Sequence, residues 1–292
     1  MISIITVNYN GLEDTRNFLS SLRNNVSFAD YEMIVVDNGS RQNEAELLSS
    51  EFDWIKAIRS ENNMGFAGGN NLGIDNATGD IFLFINNDII ISSDFIEPLA
   101  NRLSSDNRIG VVSPKIIYSN GQLCYGGCKL LGRYLIRINY ITDNSDPQTI
   151  VSAETALAHG AAMMIRKEIT EKVGKWPEAY FLYSEEVDYC LAIKRKGYTI
   201  WYEPKAIVCH IGSQTTGKVS PLKYYYNTRN RFLLYKRNLK GATRILSILF
   251  ELAIAVPQRC INLVVNKKAN FLKPVITGVL DAMLNRFGRR RY

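Results

Sequence analysis

The sequence predicts an α/β fold, a mostly parallel central sheet with flanking helices, extended by a C-terminal helical region. Short β-branched runs bounded by turn residues alternate with one-sided helical stretches, the pattern of βαβ units. The 292 residues exceed one average domain and fall short of three. Charge divides the chain in two: residues 1–215 hold 19 basic and 26 acidic side chains, and residues 216–292 hold 16 basic ones against only Glu251 and Asp281. The net +7 is therefore the average of a −7 body and a +14 tail. A body of that sign repels phosphate backbones, which excludes a general nucleic-acid binder; the tail calls for an anionic partner. A 46% hydrophobic content excludes disordered and collagen-like classes.

The N-terminal run 2–7 reads as a strand, with neither the basic leader nor the small-residue cleavage site of a signal peptide. Residues 12–22 carry Leu12, Phe18, Leu19 and Leu22 on one side, a helix packed on a sheet. The strand 33–36 ends in Asp37-Asn38-Gly39-Ser40, placing an acid where open α/β sheets make ligand contacts. Residues 62–71 form a Gly-rich loop, compatible with a simple turn or with close backbone approach to a nucleotide, before a helix over 72–77. The strand 81–85 runs into Asn86-Asn87-Asp88, oxygen donors suited to a hard cation. A strand at 111–112 precedes residues 120–155, read as a connecting region or small antiparallel excursion.

Order resumes at His159-Gly160-Ala161, leading into a strand that ends at Ile165. Glu185, Glu186 and Asp188 crowd a helix start, where they either complement the macrodipole or do acid–base work. Strands over 199–202 and 206–209 deliver His210 before a Gly212-Ser213 turn. The five cysteines, Cys124, Cys128, Cys190, Cys209 and Cys260, read as reduced thiols of a cytosolic protein. No second Cys/His pair turns Cys124 and Cys128 into a zinc site. In the tail, 224–237 forms an aromatic, cationic helix; 245–265 is apolar but interrupted by Glu251, Pro257 and Arg259, which favours an interfacial amphipathic helix over a membrane span. Its aromatics and leucines would enter the headgroup boundary, with Lys267, Lys268, Lys273 and Arg289-Arg290-Arg291 meeting anionic lipid.

In this order and at these spacings, Thr6-Val7-Asn8-Tyr9-Asn10, Asp37, the 63–70 loop, Asn86-Asn87-Asp88, the carboxylate-rich helix start and His210 resemble family 2 glycosyltransferases of the GT-A fold. The resemblance covers about residues 1–240, and the strings 62–72, 185–191, 210–213 and 225–236 look most like bacterial rhamnosyltransferase-type enzymes of O-antigen and cell-wall polysaccharide assembly. It implies an inverting, metal-dependent transfer from a nucleotide-sugar, with dTDP-rhamnose favoured and a UDP-hexose or UDP-N-acetylhexosamine second. The acceptor would be a growing glycan, carried on a polyprenyl diphosphate lipid at the inner face of the bacterial cell membrane.

By the same resemblance, Asp88 and His210 would hold Mn²⁺ or Mg²⁺, with Asn86 standing where the family often has an acid. Glu186 would deprotonate the acceptor in place of the family's Asp, with Glu185 and Asp188 as alternatives. Asp37 would meet a pyrimidine N3–H, with Val7 and Tyr9 flanking the base. Asn38, Asn63, Gly65, Phe66, Asn70, Asn86 and Asn87 would line the nucleoside and donor sugar. His159, Gly160 and Ala161 would line the acceptor side, and Trp176 and Tyr183 are sugar-stacking candidates, a core role being equally open for Trp176. The expected division is a catalytic domain over 1–215 and a membrane-associating region over 216–292, whose helices could also serve a homodimer. A nucleotidyltransferase would need a cationic phosphate loop after the first strand, whereas Asn10-Gly11-Leu12-Glu13 has none. A noncatalytic nucleotide-binding scaffold is the rival from another class.

Overall fold

The computed structural model describes residues 1–131, 136–211 and 220–290. The Gly212-Ser213 turn and Arg291 lie outside the described residues. The central sheet contains β1 (Ile2–Asn8), β2 (Tyr31–Asp37), β3 (Ile55–Arg59), β4 (Ile81–Ile85), β5 (Ile89–Ile90), β6 (Ile109–Tyr118), β7 (Leu123–Tyr125), β10 (Ala153–Glu154), β11 (Ala162–Arg166) and β12 (Thr199–His210). A separate antiparallel pair, β8 (Cys128–Leu131) and β9 (Arg137–Tyr140), supplies the excursion expected within 120–155.

Strand order is β10-β12-β6-β11-β4-β1-β2-β3, with β5 on β12 and β7 on β6. β11 alone along the line β12-β6-β11-β4-β1-β2-β3 runs backwards: it is antiparallel to both β4 and β6, while β1–β2, β1–β4, β2–β3 and β6–β12 are parallel. The C-terminal ends of β1, β2, β4 and β12 and the N-terminal end of β11 therefore share one edge of the sheet. That reversal gathers residues from distant stretches of sequence into one place.

Helices α1 (Leu12–Asn25), α2 (Glu44–Glu51), α3 (Gly65–Asp75), α4 (Ile96–Ser104), α5 (Lys167–Val173) and α6 (Glu185–Arg195) flank the sheet. α3 corrects the expected loop: the Gly-rich string is itself helical. A Cβ at Gly69 would stand 2.7 Å from Val7 Cγ1, and one at Gly73 would collide with Ile5, so these glycines let α3 lie directly on β1. Where two strands were expected, β12 is continuous, with extra residues between Glu203 and Ile207 taken up as a register shift against β6.

At the C-terminus, α7 (Pro221–Asn238) is followed by α8 (Gly241–Phe250), a π-helical turn (Glu251–Ala255), α9 (Val256–Val265) and α10 (Leu272–Met283). α7 corrects the membrane reading of 224–237: Tyr225, Tyr226, Phe232, Leu233, Leu234 and Tyr235 are buried, with Tyr235 in the core cluster of the sheet. Packing thus assigns α7 to the catalytic body, although charge alone divides the chain at 215/216. Pro257 does not interrupt the following helix either. The π turn precedes it and absorbs the lost hydrogen bond, leaving a 25-residue helix, Gly241–Val265, long and apolar enough to cross a membrane. Glu251 is buried on its inner side, receiving a hydrogen bond from the Tyr235 hydroxyl at 3.2 Å, with the Arg231 and Arg259 guanidiniums 3.5 and 3.8 Å away.

Candidate active site

At the shared sheet edge, the ends of β1 and β2 are sealed by their own polar side chains. Asn8 accepts from Gly11 N (3.2 Å), Thr15 Oγ1 (3.1 Å) and Asn87 Nδ2 (3.3 Å), and donates to Glu44 Oε2 (2.7 Å). Asn87 also donates to Thr15 Oγ1 at 2.9 Å, so it ties β4 to the first turn of α1 while keeping a partly accessible surface. Asp37 is fully buried and accepts from the backbone N–H groups of Ser40, Glu44 and Ala45 and from Arg59 Nη1 at 2.9 Å. Its two oxygens thus already carry four protein donors, one of them charged.

Asn38 donates to the Gly65 carbonyl at 2.9 Å and accepts from Met64 N at 3.0 Å, and Asn63 Oδ1 accepts from Gly65 N at 2.8 Å. These side chains shape the start of α3. Gly65 has φ +77°, and a Cβ there would run into the Phe181 carbonyl, which accepts from Phe66 N at 2.8 Å. Asn70 is buried and donates to the Phe66 carbonyl. Val7 and Tyr9 keep partly accessible surfaces at the mouth. Of the two roles open to Trp176, packing favours the core: it is buried, stacked on Tyr189 at 5.0 Å and edge-on to Phe66 and Phe84.

Next along the edge, the Asn86 N–H donates to the Ala161 carbonyl (2.9 Å), and Ile211 N donates to the Asp88 carbonyl (3.0 Å). β5 pairs Ile89 with His210 in register. Asp88 and His210 are thereby brought together from opposite ends of the sequence: Nε2 of His210 lies 3.1 Å from Asp88 Oδ1, without the alignment of a hydrogen bond. Both atoms and His210 Nδ1 are buried without hydrogen-bond partners, a costly state that a ligand can relieve. Burial alone would lower the His210 pKa, but Asp88 and Cys124 outweigh it and push it up to about 9. Burial likewise opposes the Cys124 thiolate, while His159 and His210 pull its pKa down to about 6. Cys124 is a site-lining residue that sequence spacing missed; β7 beside β6 puts it there, not its four-residue offset from Cys128.

Once the imidazolium gives up its proton, as metal binding requires, these atoms fit a hard divalent cation as two of its ligands, carboxylate oxygen and imidazole nitrogen. Among the described residues no cluster of three or more His, Cys, Asp and Glu side chains forms a complete metal cage.

The carboxylates of α6 separate by role. Asp188 is corrected from catalytic candidate to structural lock: it is buried and accepts from Arg237 Nε at 2.5 Å and Asn238 Nδ2 at 2.6 Å, joining α6 to α7. Glu185 is buried, with Oε2 unpartnered, and burial together with the neighbouring Glu186 raises its carboxyl well above the ordinary range. Glu186 keeps a partly accessible surface, yet enough protein surrounds it that desolvation lifts its carboxyl, while the helix-start N–H groups and His159 draw it part of the way back. Gly160 lies against it: a Cβ there would stand 3.4 Å from Glu186 Cβ and Cγ. His159 Nδ1 accepts from Ala161 N at 3.1 Å. Glu186, His159, Gly160 and Ala161 thus form one wall.

The loop entering α6 is strained. Phe181, Tyr183 and Ser184 have φ of 65°, 69° and 73°, conformations costing about 1–3 kcal/mol each for non-glycine residues. The Tyr183 carbonyl accepts from Asn230 Nδ2 at 2.8 Å, placing this sugar-stacking candidate inside a clamped turn.

The model of glycosyl transferase family 2 matches residues 3–174. The chain belongs to glycosyl transferase family 2. Among curated relatives, it is 28% identical to the low-salt glycan biosynthesis hexosyltransferase Agl10 of Haloferax volcanii, over 99% of this chain and 92% of that one. It is 23% identical to the dTDP-rhamnosyl transferase RfbF of Shigella flexneri, over 89% and 88%. Among solved structures, GalNAc-T7 with UDP, GalNAc and Mn²⁺ superposes at TM-score 0.63 with 16% identity, over 86% of this chain and 54% of that one. The mannosyltransferase PcManGT of Pyrobaculum calidifontis with GDP-Man and Mn²⁺ does so at 0.61 with 12% identity, over 98% and 87%. The fold of this glycosyltransferase is GT-A, and the edge that gathers Asp88, His210 and Glu186 is the place to seek its chemistry.

Proposed function

We propose that this glycosyltransferase carries out an inverting, metal-dependent transfer onto a lipid-linked glycan in cell-surface polysaccharide synthesis, with dTDP-rhamnose as the favoured donor. The observation carrying this reading is the buried Asp88–His210 pair, whose facing atoms make no aligned hydrogen bond, at the same sheet edge as the raised carboxyl of Glu186. Glu186 takes the proton from an acceptor hydroxyl. The hydroxyl oxygen then bonds to the anomeric carbon from the face opposite the leaving group. The carbon–oxygen bond to the diphosphate breaks, its electron pair leaves with the nucleoside diphosphate, and the anomeric configuration inverts. Asp88 and His210 would hold Mn²⁺ or Mg²⁺, which when bound supplies positive charge against the leaving diphosphate.

Similarity to dTDP-rhamnosyl transferase RfbF, over 89% of this chain and 88% of that one, supports the rhamnose donor. The 28% identity to hexosyltransferase Agl10 supports a second reading, a UDP-hexose or UDP-N-acetylhexosamine donor.

Thermal-shift titration with dTDP-, UDP- and GDP-sugars, each with and without Mn²⁺, tests the donor, because a ligand that binds the native state raises its Tm. The expected outcome is a metal-dependent rise with dTDP-rhamnose that Asp88→Ala abolishes; a rise with UDP-sugars alone transfers the assignment to the second reading. Glu186→Gln is expected to keep the donor-induced shift and to lose 10²–10⁴-fold in transfer rate, the usual worth of a general base. Full activity in Glu186→Gln overturns the base assignment, and a wild type that binds donors without transferring to any acceptor returns the scaffold reading.

A further inference from the structure

We propose that Arg229 and Asn230 of α7 are positioning residues for the proposed base, holding the strained 180–184 loop so that Glu186 faces the acceptor. The inference rests on Glu186 being that base. Asn230 is fully buried, and the two N–H bonds of its Nδ2, one of them shared, serve three carbonyls of the loop: Tyr180 at 3.1 Å, Leu182 at 2.7 Å and Tyr183 at 2.8 Å. One amide therefore spans the turn that contains all three positive-φ residues and ends where α6 begins.

An Asn amide can sit either way round, and Arg229 decides which. Its Nε and Nη2 both donate to Asn230 Oδ1, at 3.0 and 2.9 Å, so Nδ2 is forced toward the carbonyls. Nη2 also donates to the Tyr180 carbonyl at 2.8 Å and Nη1 to the Gly288 carbonyl at 2.6 Å. The guanidinium lies over the rings of Tyr225, Tyr226 and Phe287, 4.8–5.8 Å from their centroids. Rings and carbonyls offset the cost of burying the cation without drawing it into an ion pair with Glu185 or Glu186. A carboxylate partner there would compete for the fork and release the amide. Neighbouring residues of one motif thus do two jobs: Arg229 orients the amide, and Asn230 fixes the loop.

The test compares wild type, Asn230→Ala, Arg229→Lys and Glu186→Gln by donor KM, kcat and the pH dependence of kcat, with circular dichroism confirming folding. A released loop lets water reach Glu186, so its raised pKa relaxes toward the ordinary carboxyl value. Asn230→Ala is expected to lower kcat by at least tenfold, leave donor KM within about twofold, and move the acidic limb of the kcat profile to lower pH. Arg229→Lys keeps the charge but lacks the fork that orients the amide, and is expected to shift the same limb in the same direction; it decides the matter if Asn230→Ala does not fold. A folded variant with unchanged kcat and unchanged acidic limb, or one whose donor KM rises in step with the fall in kcat, overturns the proposal. Full activity in Glu186→Gln instead overturns the base assignment and leaves the clamp without an object.

Discussion

Glu185, Glu186 and Asp188 lie within four residues, and the helix gives them different fates. Positions i and i+2 of a helix point away from each other, so Asp188 turns to α7 while Glu186 turns to Gly160. Glu185 is left buried without a cation. Its pKa is raised on folding, so its contribution to stability is fully present below the unfolded value near 4.5 and is lost as pH rises through the folded value. Glu185→Gln is therefore expected to raise Tm relative to wild type at neutral and alkaline pH, the gap closing as pH falls below about 4.5, as read by thermal unfolding across pH. Gly65 offers a second test at this scale. Gly65→Ala would set a methyl against the Phe181 carbonyl at a positive φ, whereas Gly121, also at positive φ, has open space around it. Denaturant unfolding should show Gly65→Ala losing several kcal/mol and Gly121→Ala only about 1 kcal/mol.

At the scale of elements, what could be read from sequence is what depends on local pattern. The runs at 2–7, 33–36 and 81–85 became β1, β2 and β4 because each is apolar and closes on polar turn residues. Strand β3 escaped notice because an edge strand carrying Lys56 and Arg59 has little apolar signal. The glycines of α3 read as loop because their purpose, contact with Ile5 and Val7, exists only once the sheet is formed. Likewise Asp88, His210 and Glu186 were legible as residue types at strand ends and helix starts, whereas the clamp on the 180–184 loop was not. Nothing local in Tyr225-Tyr226-Asn227-Thr228-Arg229-Asn230 reveals that it faces inward. Asp188 gives this level its test: Asp188→Asn weakens the α6–α7 lock to Arg237, which reaches solvent. Stability is expected to fall by about 1–3 kcal/mol while the acidic limb of the kcat profile stays in place. That outcome separates a lock between helices from the clamp that acts on Glu186.

The whole molecule joins a transferase body that is nearly neutral once α7 is counted in it, 25 basic against 26 acidic side chains over 1–238, to a basic, apolar surface. Ile245, Leu246, Leu249, Ile254, Ile261, Val264 and Val265 are exposed along the Gly241–Val265 helix, and Ile276, Leu280 and Met283 are exposed on α10. The helix has the length to span a bilayer, but Glu251 on its inner face is held by Tyr235, with Arg231 and Arg259 nearby. Spanning would strip that carboxylate of its contacts with α7, so we propose that the helix docks flat on the membrane instead, with lysines meeting anionic headgroups. Deleting 242–292 is a poor test, since Gly278 of α10 lies directly on the backbone of α7 at Tyr225 and Arg229. Point substitutions are better. The full chain is expected to sediment with phosphatidylglycerol vesicles at low salt and to be released by high salt or alkaline wash. Leu246→Ser with Leu249→Ser should weaken partitioning by roughly tenfold or more, each half-exposed leucine being worth about 1 kcal/mol, without altering Tm. Resistance to alkaline wash would mean that the helix spans, and sedimentation indifferent to both leucines would overturn membrane docking. A concentration-dependent dimer abolished by the same pair would assign this face to a second copy of the chain.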